Sequence, residues 1–305
     1  MEFRRTGLWM LCAALLAAAA TAQEQDFSKV ELKTTKIAPG LAMLEGVGGF
    51  AGGNVAVSYG PDGTAIVDDQ FAPMVPKIAA AVKALQDAPI RFVINTHWHP
   101  DHTSGNEPMT GAGALIFAHE NVRKRMSAEQ FSKFMNRTIP ASPAAALPVV
   151  TFSDGVTLHW NGETIRVEHV APAHTDGDSQ VWFEKANAVH MGDTFVNGFF
   201  PFIDVESGGR VDGLIDSANR ALARTKNDTQ IIPGHGPLAK PADLAKFRDM
   251  LVDVRGRVRK AIKSGKKMEP FVASKPLADL DAAWGGGFIK TDQFVTLVWM
   301  SLSAK

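Results

Sequence analysis

The chain has a single cysteine in 305 residues, Cys12, and it falls inside the first apolar stretch. So few thiols leave no disulfide framework and no thiolate ligand set, so any metal bound here must be held by imidazole and carboxylate. An excess of charge is also missing: 32 basic residues balance 32 acidic ones. Without a broad positive field to hold a polyphosphate backbone, nucleic acid is not an expected partner. No period of 20–50 residues repeats, which argues against a solenoid. The apolar stretch at residues 8–20 is shorter than the roughly 20 residues that span a bilayer. It follows Arg4 and Arg5 and ends in Ala20-Thr21-Ala22, the three parts of a secretory signal with a small-residue cleavage site. The expectation is a signal peptide over residues 1–22 and a mature chain over 23–305. That chain would be periplasmic or secreted, free of cysteine and without a stable membrane anchor. With Glu2, Arg4 and Arg5 removed, it keeps 30 basic and 31 acidic residues.

What is present reads as an ordinary globular protein, 45% hydrophobic and 21% charged. Residues 23–36 are polar and mixed, a loose lead-in. Apolar runs at 41–45, 54–59 and 64–68 alternate with glycine-rich connections, the second holding the tight turn Asp62-Gly63. The first connection, Gly46 to Gly53, carries Phe50 and reads equally as a mobile flap over a pocket or as a plain hairpin loop. A helix is predicted over 72–86, strands over 91–95 and 114–118, a helix through 122–126 and a surface loop over 139–148. Strands follow at 149–152, 157–160 and 163–170, the last two joined by Asn161-Gly162, a strong hairpin signal. Further strands are predicted at 180–184, 188–191 and 229–232, with helices at 211–224, 241–264 and 288–302. Strands grouped within each half, with helices between, predict an α/β fold of two face-to-face sheets covered by helices, in one domain over 23–305.

The chemistry is concentrated in residues 95–106, where His97, His99, Asp101 and His102 lie within six positions at the end of an apolar run. Three more candidates follow apolar strands and are bracketed by glycine or proline: His174, Asp193 and His235. Strand ends can converge on one rim, where loops present side chains into a cleft. His97 and His99 are two apart and point to one side of an extended segment, while Asp101 and His102, past the turn at Pro100, can face a second position. Two cations are thus within reach of one loop, and an anionic Asp193 could bridge them. Imidazole and carboxylate are what zinc takes when a position is left open for water, and iron accepts the same donors. His119, His159, His169 and His190 are read as hydrogen-bonded or surface groups.

This donor pattern resembles the metallo-β-lactamase fold superfamily, whose signature is a His-x-His-x-Asp-His run followed by separate His, Asp and His motifs. The likeness runs from about residue 37 to 240. It implies an αββα four-layer sandwich with two Zn2+ ions at one edge, the first held by His97, His99 and His174, the second by Asp101, His102 and His235, and Asp193 between or beside them. The resemblance also implies a hydrolase in which a metal-held hydroxide attacks a carbonyl, with Asp101 accepting a hydrogen bond from the water. A small cyclic amide is the expected substrate, β-lactams included, with lactones, esters or thioesters as the alternative and a non-catalytic envelope metal binder as the outsider. The sequence departs from the β-lactamase branch twice. Asp193 stands where that branch usually has cysteine or serine, and Val196 where many members carry a substrate-holding lysine. His99 stands where diiron relatives often carry glutamate, which favours zinc over iron. The apolar segment 197–204 could wall a pocket or simply pack in the core.

Overall fold

The computed structural model describes residues 26–134 and 136–304; the expected signal peptide and Cys12 lie outside the described residues. The strands β1 (Glu31–Ala38), β2 (Leu41–Val47), β3 (Val55–Gly60) and β4 (Gly63–Val67) form an antiparallel meander. A 3-10 turn at Ala72–Met74 leads into α1 (Val75–Leu85), then β5 (Ile90–Ile94), α2 (Pro100–Thr103), α3 (Asn106–Gly111), β6 (Leu115–His119) and α4 (Glu120–Met126). A short separate hairpin follows, β7 (Gln130–Ser132) with β8 (Arg137–Ile139), and then β9 (Val150–Phe152). β5, β6 and β9 add in parallel beyond β4 to make a seven-stranded sheet. The second sheet has five strands: β10 (Gly155–Trp160), β11 (Glu163–His169), β12 (Ser179–Phe183), β13 (Ala188–His190) and, after α5 (Val211–Arg224), β14 (Gln230–Ile232) in parallel with β13. The chain ends in α6 (Pro241–Lys263), α7 (Met268–Ala273), α8 (Asp281–Trp284) and α9 (Thr291–Ser303). Among the described residues no helix is long and apolar enough to cross a membrane.

Alternation within the strands builds three apolar layers. Met43, Ala56, Val67 and Ile94 of the first sheet meet Ile165, Val167, Val181 and Ile232 of the second. Their neighbours Leu44, Val55, Val57, Ile66 and Val93 point the other way, against Met74, Ile78 and Val82 at α1. Trp182, Val189 and Ile231 face the helices α5, α6 and α9 through Leu214, Leu251, Val254 and Val298. Because side chains alternate with period two, β3, β4, β12 and β13 in the middle of the sheets bury residues on both faces. The result is the αββα sandwich that the sequence predicts.

Turn chemistry locks one end of the stack. Asn161 and Gly162 take positive φ of 56° and 71°, as a two-residue hairpin turn requires. Asn161 then ties this turn to the Asp62-Gly63 turn of the other sheet. Asp62 N donates to Asn161 Oδ1 at 3.0 Å, Asn161 N to Asp62 Oδ2 at 2.7 Å, and Asn161 Nδ2 to the Gly63 carbonyl at 2.9 Å.

The structure corrects three expectations. Residues 31–36 of the expected lead-in belong to the edge strand β1, recognisable only by its pairing with β2, since its side chains are exposed or half-buried. The helix expected at 72–86 begins as a 3-10 turn, with Pro73 and Pro76 at its start, and becomes α-helical only at Val75. The last helix starts at Thr291 rather than 288, where the Lys290 N–H donates to Gln293 Oε1 at 2.9 Å.

Candidate metal centre

The donors all come from chain segments that leave strands at one rim. The strand β5 hands over to 95–102, where His99 is still extended (φ −63°, ψ 146°) and Pro100 starts α2, turning Asp101 and His102 towards a second position. His174 lies in the loop between β11 and β12, Asp193 in a 3-10 turn (Gly192–Thr194) after β13, and His235 just past β14. Two glycines allow the approach. A Cβ at Gly53 would lie 2.1 Å from the His102 ring, and one at Gly234 would lie 1.9 Å from Asp193 Oδ1. Any larger residue at either place would displace a donor.

All seven predicted residues meet. Their donor atoms fall into three overlapping groups, each within 4.8 Å: His97, His99 and His174; His97, His102 and Asp193; and Asp101, His102 and His235. Asp193 lies between the halves, with Oδ1 3.3 Å from His102 Nε2 and 3.5 Å from His235 Nε2, and Oδ2 3.7 Å from His174 Nε2. Asp101 Oδ2 is 3.2 Å from His235 Nε2.

The outer nitrogens of four imidazoles are engaged, and this fixes which nitrogen faces inward. His102 Nδ1 meets Asp68 Oδ2 at 2.8 Å, His99 Nε2 meets Asp204 Oδ2 at 2.9 Å, and His174 Nδ1 meets the Phe202 carbonyl at 2.9 Å. Thr96 Oγ1 donates to Asp68 Oδ2 at 2.8 Å and therefore accepts from His97 Nδ1 at 3.0 Å. Each outer nitrogen carries its proton towards an acceptor, leaving a lone pair directed into the ring. There, His99 Nδ1 and His174 Nε2 are only 2.8 Å apart, and His97 Nε2 and Asp193 Oδ1 are buried without a hydrogen-bond partner. Converging lone pairs repel one another unless a proton or a cation draws them together. Four carboxylates, Asp101 and Asp193 in the ring with Asp68 and Asp204 behind it, match the charge of two divalent ions. The donor set therefore fits a pair of cations.

Electrostatics divide the ring. Burial, reinforced by neighbouring imidazoles, pushes His97 well below the ordinary histidine range, and His174 is lowered by burial and His99. For His102 and His235 burial acts the same way, but Asp193 and Asp101 overcome it, raising His102 well above the ordinary value and His235 to about 9. Burial opposes ionisation of the two carboxylates as well. Even so, His102 and His235 bring Asp101 down to about 2, and His235 and His102 hold Asp193 well below its usual range.

The remaining histidines stay outside the ring. His190 Nε2 donates to the Asn54 carbonyl at 2.9 Å, His159 is exposed on β10, and His119 stacks on His169 with centroids 3.8 Å apart. Sequence reasoning missed Asp68, Asp204 and Asp178. Asp178 accepts from the backbone N–H of His174 at 2.6 Å and of Thr175 at 2.9 Å, holding that loop. The signal for Asp68 was its place directly after a buried strand; for Asp204, 105 residues from His99, there was none. Aromatic rings flank the donors. Phe50, 52% exposed, stacks on His235 at 5.5 Å, and Phe202 lies 5.9 Å from His99 and 5.8 Å from His174. In the apolar segment 197–204, Phe200 and Ile203 pack in the core and Phe202 walls the centre.

A family model described as the metallo-beta-lactamase superfamily matches residues 48–272. The chain belongs to that superfamily. Metal binding is the family's general property, and the three donor groups could hold metal ions. A hydroxyacylglutathione hydrolase from Polaromonas sp. (strain JS666 / ATCC BAA-500) is 30% identical over 159 residues. The alignment takes in 51% of each chain, so this chain spans about half the length of that curated relative. Among solved structures, a metallo-beta-lactamase from Pontibacter korlensis is 16% identical with a TM-score of 0.58, covering 72% of this chain and 99% of that one. The DIM-1 metallo-beta-lactamase is 20% identical at TM-score 0.55, covering 73% and 99%. A double mutant of the sec-alkyl sulfatase PisA1, 15% identical at TM-score 0.67, covers 89% of this chain and 50% of that one. At these identities the likenesses establish the superfamily fold.

Proposed function

We propose that this superfamily member is a two-zinc hydrolase that cleaves a small ester, thioester or lactone and works after export, in the periplasm or outside the cell. The observation that carries the reading is the ring of seven donor residues, in which four imidazoles have their lone pairs turned inward by acceptors behind them. Zinc ions held there would lower the pKa of bound water to about 7 and polarise a carbonyl oxygen. The protein's own groups orient the reactants. Asp101, brought down to about 2, is ionised at neutral pH and accepts a hydrogen bond from the attacking water, which fixes the direction of attack. Phe50 and Phe202 cover opposite ends of the ring and limit access of bulk water.

Esters, thioesters and lactones come before cyclic amides for three reasons. Asp193 replaces the cysteine or serine of the β-lactamase branch; Val196, 3% exposed, cannot hold a substrate carboxylate; and the Polaromonas relative is named for an acylglutathione. Zinc is preferred to iron because His99, not a carboxylate, stands third in the motif. The purified chain, loaded with zinc or with iron or stripped by a chelator, is assayed on a chromogenic β-lactam, a lactone and a thioester. Zinc-dependent turnover of the lactone or thioester above the β-lactam supports the reading, and β-lactam preference replaces it with a lactamase. Absence of turnover on all three leaves a metal-binding protein.

A further inference from the structure

Beside the ring lies a cavity of about 50 Å³, whose lining includes Trp98, His99, Phe131, Ile139, Asp204 and Glu206. Its volume holds roughly three or four water-sized groups. The β7–β8 hairpin forms its outer side, and Phe134 in the hairpin turn rests on Phe202 with centroids 5.2 Å apart, so hairpin and ring wall are continuous. The apolar part is Trp98, Ile139 and Phe131, which is 52% exposed. The charged part is of one sign. Asp204 pairs with His99 alone, and Glu206, which accepts from the Lys133 backbone N–H at 2.9 Å, makes no ion pair among the described residues. A carboxylate entering here would meet the like charge of Glu206, whereas a short alkyl group would leave water for three apolar side chains.

We propose that this cavity is the acyl subsite of the enzyme and selects short, uncharged acyl groups over acidic ones. The inference rests on the hydrolase reading above and adds the substrate class. Phe131 and Ile139 set chain length, and Glu206 sets charge preference.

The test uses the zinc-loaded chain with phenyl thioesters from acetyl to octanoyl, and with succinyl against pentanoyl as a pair of similar size. kcat/KM should climb about fourfold per methylene through butanoyl and then level. Pentanoyl should exceed succinyl at least tenfold. Ile139→Trp, which fills the cavity, should flatten the climb, and Glu206→Gln, which keeps an acceptor for Lys133, should raise the succinyl-to-pentanoyl ratio about threefold to tenfold. Occupancy is read separately by ligand-observed NMR with butanamide and succinamate on parent and Ile139→Trp protein. Preferential butanamide binding that the variant loses upholds the subsite even if no thioester is cleaved, in which case only the hydrolase reading falls. Equal binding of both amides, or equal rates across length and charge, overturns the subsite while leaving the hydrolase reading intact.

Discussion

Two groups of histidines sit near the strand ends of this molecule, and only one is built for cations. In the stacked pair His119 is buried and His169 half-buried, and Nδ1 of each ring is engaged by a backbone group. His119 Nδ1 accepts from the Asn121 N–H at 3.2 Å, and His169 Nδ1 donates to the Asp178 carbonyl at 2.9 Å. In the ring, by contrast, four of the five imidazoles have the outer nitrogen occupied by an acceptor so that the inner one is left over, and two carboxylates share the space. Density of imidazole does not make a metal site. What makes one is the set of acceptors behind the imidazoles, which decides where the lone pairs point.

This contrast can be broken by substitution. The largest effect is expected at Asp101, where Asp101→Asn should lower kcat by about 10²–10⁴-fold with a smaller change in KM; steady-state kinetics with unchanged kcat would remove its orienting role. Asp204→Asn, which touches no cation, should weaken zinc retention about 10- to 100-fold through His99. A chelator competition giving parental affinity would show that the acceptor behind His99 is dispensable, whereas His169→Gln should leave retention at the parental level.

Stability against pH sharpens the same comparison. Burial lowers both His119 and His169 from the ordinary value of 6.5. Between their folded values and about 6.5, the unfolded chain binds more protons, so their contribution is fully present above about 6.5 and shrinks as pH falls through it. Urea midpoints between pH 5 and 7.5 should therefore slope less in a His119→Gln/His169→Gln variant than in the parent. Equal slopes would mean that the pair is not shielded. The smallest effect is at the turn-to-turn tie. Asn161→Ala loses its side-chain bonds and places alanine at φ 56°, costing about 1–3 kcal/mol by urea unfolding, with zinc content unchanged.

The ring was legible in the sequence because its residues announce themselves locally: a dense motif after a buried strand, then single donors bracketed by glycine or proline at later strand ends. The layering was legible for a similar reason, since strands such as β4 and β12 carry apolar runs, residues 65–67 and 181–183, and the Asn161-Gly162 turn has few alternatives. The edge strand β1 was not, because its stability comes from pairing with β2 and its exposed side chains carry no period-two signal. The β7–β8 hairpin, with three residues in each strand, is too short to impose a pattern. Asp204 illustrates the deeper limit, for its meaning lies wholly in a contact 105 residues away.

Zinc stoichiometry of the folded chain tests the central claim most directly. Reconstitution followed by elemental analysis should give two zinc ions per parent chain, two in the His119→Gln/His169→Gln variant, and fewer in Asp193→Ala, with the Asp101, His102 and His235 position emptied first. A parent chain that stays free of zinc, or an Asp193→Ala chain that keeps the parental content, would contradict the account.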